Sequence, residues 1–245
     1  MQIVVNGIVT NYQIIESKSS KEPLLILHGW QRDLKEWIPL AEKFSDRYKV
    51  ILLDLPGFGG TNKEETDFDT YDYANFCEEF LKKLKVEKCA VLGHSFGGRI
   101  GIVLAAKTNL VSKLILVDSA GLREKESPLT KIKRAMFKLI FKILPKPISI
   151  RVKNLLGSED YKSSGSLRNT FVKVVNQDLS SLLSEIKAET LIIWGSEDPV
   201  LSVSQTKILK KSIPKSKVRI VWSASHSPHI EKPESFFETI SQFLM

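Results

Sequence analysis

The stretch Cys89-Ala90-Val91-Leu92-Gly93-His94-Ser95-Phe96-Gly97-Gly98 decides the reading of this chain. Its first four residues form a short apolar run that reads as a buried strand. From Gly98 to Lys107, Ile100, Val103, Leu104 and Ala105 recur at helical spacing. A strand that turns directly into a helix forces the residue at the corner into strained backbone geometry, and small neighbours must let the two backbones approach. Gly93 and Gly97 supply that room. The corner residue is Ser95, whose hydroxyl is thereby raised above the sheet at the amino end of a helix, where developing negative charge is favoured. A Gly-x-Ser-x-Gly pattern alone arises by chance in about one chain in ten of this length. The strand–turn–helix context and the partners of Ser95 must carry the assignment.

The same alternation extends in both directions. Towards the amino terminus lies a hairpin, Ile3–Val5 and Val9–Glu16 around Asn6-Gly7, followed by the apolar strand Leu24–Leu27 and a helix over about 37–45. The strand Val50–Asp54 and a helix over about 71–84 lead into the Ser95 strand. Beyond the Ser95 helix come the strands Leu114–Asp118, Leu191–Gly195 and Val218–Val221, with helices over 203–212 and 233–244. Continuous apolar strands alternating with helices predict an α/β fold, a doubly wound, mostly parallel sheet of eight strands covered on both faces. The rhythm breaks between Gly121 and Glu189, where no strand is evident. Residues 1–120 and 190–245 are therefore expected to form the core domain, with 121–189 inserted as a helical lid.

Composition narrows the class. The 245 residues suit one large domain, and 42% hydrophobic content is ordinary for a globular protein. No apolar run is long enough to cross a bilayer, and no leader pattern is visible at Met1–Gly7, so a cytoplasmic location is the default expectation. Cys77 and Cys89 make no metal or disulfide pattern and read as reduced core residues. The net charge of +8 is concentrated: residues 122–188 hold 14 Lys and Arg against 6 Asp and Glu, and the rest of the chain balances 22 against 22. Within that segment, Lys131, Arg134, Lys138 and Lys142 form a basic stripe beside an apolar face on a helix expected over 129–144. Packing on the main domain accounts for such a helix most simply; a weak membrane-surface or dimer contact is the alternative. No nucleic-acid reader motif accompanies the charge.

A serine hydroxyl becomes a nucleophile only beside a base, and that base needs an acid to hold its tautomer. The chain has four histidines, His28, His94, His226 and His229. His94 adjoins the nucleophile in a tight turn and points away from it, and His28 better suits shaping the loop after Leu27. His226 follows the last strand, where catalytic groups gather in parallel sheets, with His229 as its rival. Asp198 follows the second-last strand, 103 positions after Ser95 and 28 before His226. The order Ser–Asp–His is the one expected of this elbow. Asp118, also at a strand end, is a fallback acid, and Asp54 is expected to support the Pro56-Gly57 loop.

With these residues in place the chain resembles the α/β-hydrolase-fold family, which includes carboxylesterases, lactonases, carbon–carbon bond hydrolases and proline iminopeptidases. The resemblance rests on His28-Gly29-Trp30, Asp54-Leu55-Pro56-Gly57-Phe58-Gly59, Gly93 to Gly98, Trp194-Gly195-Ser196-Glu197-Asp198 and Ser225-His226 through Pro233. Two positions depart from the family pattern: Ser225 stands where Gly is usual, and Glu189-Thr190 where a Pro is common. The resemblance implies that the backbone amides of Trp30 and Phe96 form an oxyanion hole. It also implies no metal and no cofactor, and a serine hydrolase acting on small ester-like substrates, lactones among them. Carbon–carbon cleavage would suit the basic lid and Arg99. An iminopeptidase would need acidic lid residues such as Glu159, Asp160 or Glu185. A triad-bearing small-molecule receptor is the reading from a different class.

Overall fold

Burial of both faces of a parallel sheet organises the molecule. The structure, a computed structural model, describes residues 1–17, 22–63, 66–122 and 159–245. The strands are β1 (Gln2–Val5), β2 (Ile8–Ile15), β3 (Leu24–Leu27), β4 (Val50–Leu53), β5 (Cys89–His94), β6 (Val111–Val117), β7 (Glu189–Gly195) and β8 (Ser216–Val221). They form one eight-stranded sheet in the order β1-β2-β4-β3-β5-β6-β7-β8. The β1–β2 and β2–β4 pairs are antiparallel, and every other pair is parallel. The expected eight-stranded, mostly parallel sheet is present.

Period-two alternation divides the core in two. Leu25, Leu27, Ile51, Leu53, Val91, Leu114, Leu116 and Ile192 face one layer. Leu24, Ile26, Val50, Leu52, Leu92, Ile115, Val117 and Ile193 face the other. Each such fully buried side chain contributes roughly 1.5–3 kcal/mol. The first layer holds α2 (Thr70–Lys83) and α3 (Phe96–Lys107), through Phe76, Phe80, Ile100 and Leu104. The second holds α1 (Ile38–Phe44) and the terminal helix α8 (Pro233–Leu244), through Phe44, Phe236 and Ile240. The start of α2 is set by a capping box, in which the Asp69 carboxylate accepts from the Tyr71 and Asp72 amides and the Asp72 side chain accepts from the Asp69 amide.

Between β6 and β7 the described residues are helical: α4 (Glu159–Ser163), α5 (Arg168–Asn176) and two tight turns, Gly165–Leu167 and Ser180–Glu185. The basic helix expected over 129–144 lies outside the described residues. Two short helices complete the chain, α6 (Gln205–Ser212) and α7 (Pro228–Glu231). No described helix is long and apolar enough to cross a membrane.

Parallel pairing brings the carboxyl ends of neighbouring strands to one edge, in register. Leu27 pairs with Gly93, His94 with Val117, Val117 with Ile193, and Gly195 with Val221. The loops that follow β3, β5, β6, β7 and β8 therefore emerge side by side.

Candidate active site

Ser95 occupies the turn between β5 and α3 with φ 50° and ψ −106°, in the region that side-chain-bearing residues avoid. Four backbone hydrogen bonds hold it there. Its amide donates to the Val117 carbonyl at 2.9 Å, and its carbonyl accepts from Gly98 at 3.1 Å, Ala120 at 3.3 Å and Arg99 at 3.4 Å. The neighbours must be glycine. A Cβ on Gly93 would overlap the Gly97 carbonyl, and one on Gly97 would overlap the carbonyl of Leu27. Backbone strain gathers along this edge: Gln31, Ser95, Asp118 and Ser223, in the loops after β3, β5, β6 and β8, all have positive φ. Strain of this kind, about 1–3 kcal/mol each, persists where the surroundings enforce it and concentrates at functional sites.

The loop after β3 is bound to the elbow. The Gly97 amide donates to the His28 carbonyl at 3.1 Å. The His28 ring is buried, accepting from the Leu55 amide at 3.0 Å through Nε2 and meeting the Gly29 carbonyl at 2.8 Å through Nδ1. Burial lowers its pKa, and the ring works as a neutral bracket between two loops. Asp54 accepts from the Leu34 and Gly60 amides, each at 2.7 Å, and so supports the loop through Pro56 and Gly57. Trp30 is the first inner residue of a turn closed by Arg32 N–H to the Gly29 carbonyl at 3.2 Å, so the turn does not use its amide. Phe96 opens α3, where helix amides have no partner within the helix. The two rings meet edge-on at 5.1 Å, which sets these two amide-bearing residues beside each other. Gly29 packs tightly behind them, since a Cβ there would lie 2.9 Å from Nδ1 of His94.

His226 and Asp198 come together from the loops after β8 and β7. Nδ1 of His226 and Oδ2 of Asp198 are 2.8 Å apart. The other Asp198 oxygen accepts from the amides of Val200 at 2.7 Å and Leu201 at 3.0 Å. Burial pushes this carboxyl up, but the His226 bond and the two amides outweigh it and hold the pKa below the usual value. The His226 ring is 20% exposed, and its second nitrogen, Nε2, is not used by the bond to Asp198.

The other histidines serve the frame. His94 is buried and donates from Nε2 to the backbone carbonyl of His226 at 2.7 Å. The residue before Ser95 thus grips the residue on the facing loop. His229 meets Glu36 at 2.9 Å and stacks on Trp37 with ring centres 4.0 Å apart. Burial, ahead of every other effect, lowers the pKa of both rings. Ser225, where the family pattern has Gly, donates its amide at 2.9 Å and its hydroxyl to the Glu231 carboxylate. Sequence reasoning missed this clamp. Its signal was a carboxylate six positions on, just before Pro233. Asp118 is buried behind the pair, with Oδ1 accepting from the Gly195 amide at 2.9 Å.

Arg99 is turned inward. Its buried guanidinium donates to the carbonyls of Val174 and Gln177, binding the end of α5 to α3. Glu185 pairs with Lys107 at 2.9 Å, at the far end of α3 from Ser95. Segment 159–171 instead reaches the elbow through Ser164, whose hydroxyl accepts from Nε1 of Trp30 at 3.3 Å, and through Phe171, 5.1 Å from the Trp30 ring.

Residues 22–164 match the alpha/beta hydrolase fold family. The chain is 26% identical over 263 residues to a monoacylglycerol lipase of Mus musculus, covering 91% of this chain and 76% of that protein. Among solved structures, a bacterial membrane phospholipase A superposes with a TM-score of 0.81 at 26% identity, covering 100% of this chain and 84% of that one. A meta-cleavage product hydrolase from Pseudomonas fluorescens shares the fold at 20% identity, with a TM-score of 0.77 over 100% of this chain and 97% of that one. On the family match and the sheet it fits, the chain belongs to the α/β-hydrolase fold family and is a hydrolase.

Proposed function

We propose that the chain is a serine hydrolase that cleaves small carboxylic esters, lactones included, through an acyl-enzyme on Ser95. The observation that carries this reading is the 2.8 Å contact of Asp198 with His226 on a loop whose backbone is gripped by the residue preceding Ser95. Nε2 of His226 takes the Ser95 proton as Oγ attacks the ester carbonyl. Asp198 holds the tautomer and stabilises the imidazolium. The amides of Trp30 and Phe96 receive the developing oxyanion, each worth roughly 3 kcal/mol of barrier lowering. His226 returns the proton to the leaving alcohol, then activates water to release the acid.

The rings of Trp30, Phe58, Phe96 and Phe171 crowd together beside the elbow, an apolar wall suited to an acyl group. The segment expected as the inserted helical lid, 121–189, is assigned that role on the contacts that Ser164 and Phe171, in its described part, make with Trp30. The lid's basic face at 129–144 stays with this reading as a weak contact for a membrane surface or a second copy. The free, buried Cys77 and Cys89 suit a cytoplasmic site of action. Carbon–carbon cleavage of an acidic substrate loses support, because Arg99 is committed to backbone carbonyls.

A panel of short acyl esters, lactones, aminoacyl amides and dienoate keto-acids, assayed with wild type and Ser95→Ala, tests the proposal. Repeated turnover of esters that vanishes in Ser95→Ala is expected. Full activity in Ser95→Ala, or no ester hydrolysis by wild type, overturns it. A single acylation burst without turnover would also overturn it and mark a receptor.

A further inference from the structure

Asp118 sits closer to the Asp198–His226 pair than a bystander should. It directly follows β6, with φ 40°, and is completely buried. One of its oxygens accepts from the Gly195 amide; the other, Oδ2, is buried with no hydrogen-bond donor among the described residues. An oxygen of Asp118, an oxygen of Asp198 and a ring nitrogen of His226 all lie within 4.8 Å of one another. Two carboxylates at such range in a buried site do not both ionise. The donors decide which one keeps the charge. Asp198 has three, the His226 ring and the amides of Val200 and Leu201, whereas Asp118 has the Gly195 amide alone.

We infer that Asp118 is held as the neutral carboxylic acid and donates Oδ2–H to the Asp198 carboxylate, a positioning residue that orients the acid behind His226. This inference rests on the proposed triad and deepens it. The groups facing Asp118 are Asp198 and His226 from the loops after β7 and β8 and Glu231 from α7, so the two carboxylates add to the pressure against ionisation. Burial, with these neighbours, pushes its pKa up to about 9 from an ordinary 3.8. The orphaned Oδ2 thereby gains its partner, because a proton between two carboxyl oxygens satisfies both.

Asp118→Asn is the decisive variant, since an amide is neutral, still accepts from Gly195 and still donates to Asp198. It is expected to keep kcat, and to keep the acid limb of kcat/KM against pH where the wild type has it. If Asp118 were ionised, removing its charge would take a negative charge from beside the pair, and the acid limb would move to lower pH by about one unit. That shift overturns the inference. Asp118→Val, with no donor, is expected to lose at least about tenfold in kcat with KM held.

Two readouts need no turnover and stand even if the valine variant fails to fold. A difference infrared spectrum at pH 7, wild type minus Asp118→Asn, should contain the carbonyl band of a protonated carboxylic acid; its absence overturns the inference. Stability gives the second sign. A folded pKa raised above 3.8 favours folding fully only below that value, and the benefit fades as pH rises towards 9. The Tm of Asp118→Asn should therefore gain on wild type from pH 4 to pH 8, and a constant difference refutes the inference. Loss of the ester assignment would show instead in Ser95→Ala, with the infrared band unaffected.

Discussion

Replacing His94 by Phe tests whether the elbow and the histidine loop are one mechanical unit. The exchange keeps a ring among Trp37, His226 and His229, whose centroids lie 6.1, 5.1 and 4.8 Å away. It removes the Nε2 donor that reaches the His226 carbonyl at 2.7 Å. A carbonyl left without its donor in a partly buried place costs about 1–3 kcal/mol. The orphaned Nδ1 of His94 disappears at the same time, returning some of that, so a net loss of about 1.5 kcal/mol is expected. For a domain of this size each kcal/mol moves Tm by about 2–4 °C, which gives a fall of about 3–6 °C. If the same bond also sets the position of the His226 ring that the proposed mechanism needs, about 1.4 kcal/mol appears in the barrier, a tenfold loss of kcat with KM little changed. Thermal melting and steady-state hydrolysis of a short ester measure the two effects. His94→Gln, whose amide can still donate, should recover part of both. A lowered Tm with full kcat in His94→Phe would refute the coupling and leave His94 a packing residue.

Asp198→Asn keeps an oxygen for the Val200 and Leu201 amides but turns a donor towards Nδ1 of His226, favouring the wrong tautomer. A kcat loss on the order of 10⁴ with a nearly unchanged Tm is expected, and loss of both together would argue for unfolding instead. Arg99→Met frees the Val174 and Gln177 carbonyls from the guanidinium. Limited proteolysis should then cut the 159–188 segment faster while the core stays protected; unchanged cleavage would show that the tie is redundant. The pKa values of His28, His94 and His229 all lie below their ordinary 6.5, so these rings favour folding fully above pH 6.5 and lose that contribution as pH falls towards their folded values. Urea midpoints should drop below pH 6.5, less steeply in His94→Phe, and equal slopes would count against this source of acid sensitivity.

Much of this architecture is local information. The apolar strands, the glycines that permit the Ser95 turn and the Ser–Asp–His order are written in residues at short range, because strand period, helix period and backbone crowding are local properties. The helix of the elbow starts at Phe96, two residues before its apolar periodicity becomes visible at Gly98, because the first turn is set by the bend and not by the pattern. The Glu231 clamp on Ser225 and the short helix Pro228–Glu231 escaped the reading because they stabilise one loop and leave no period behind.

The sequence alone determined the class of sheet, the corner that lifts Ser95, and His226 and Asp198 as its leading candidate partners, since those follow from spacing and residue type. Tertiary structure decided what the remaining polar residues do. It turned Arg99 inward onto two carbonyls, gave His94 to the backbone of the facing loop, and set Asp118 beside Asp198. The reason is physical. The state of a buried charge depends on which donors and charges surround it, and those arrive from strands and loops that are distant along the chain and meet only when the sheet closes.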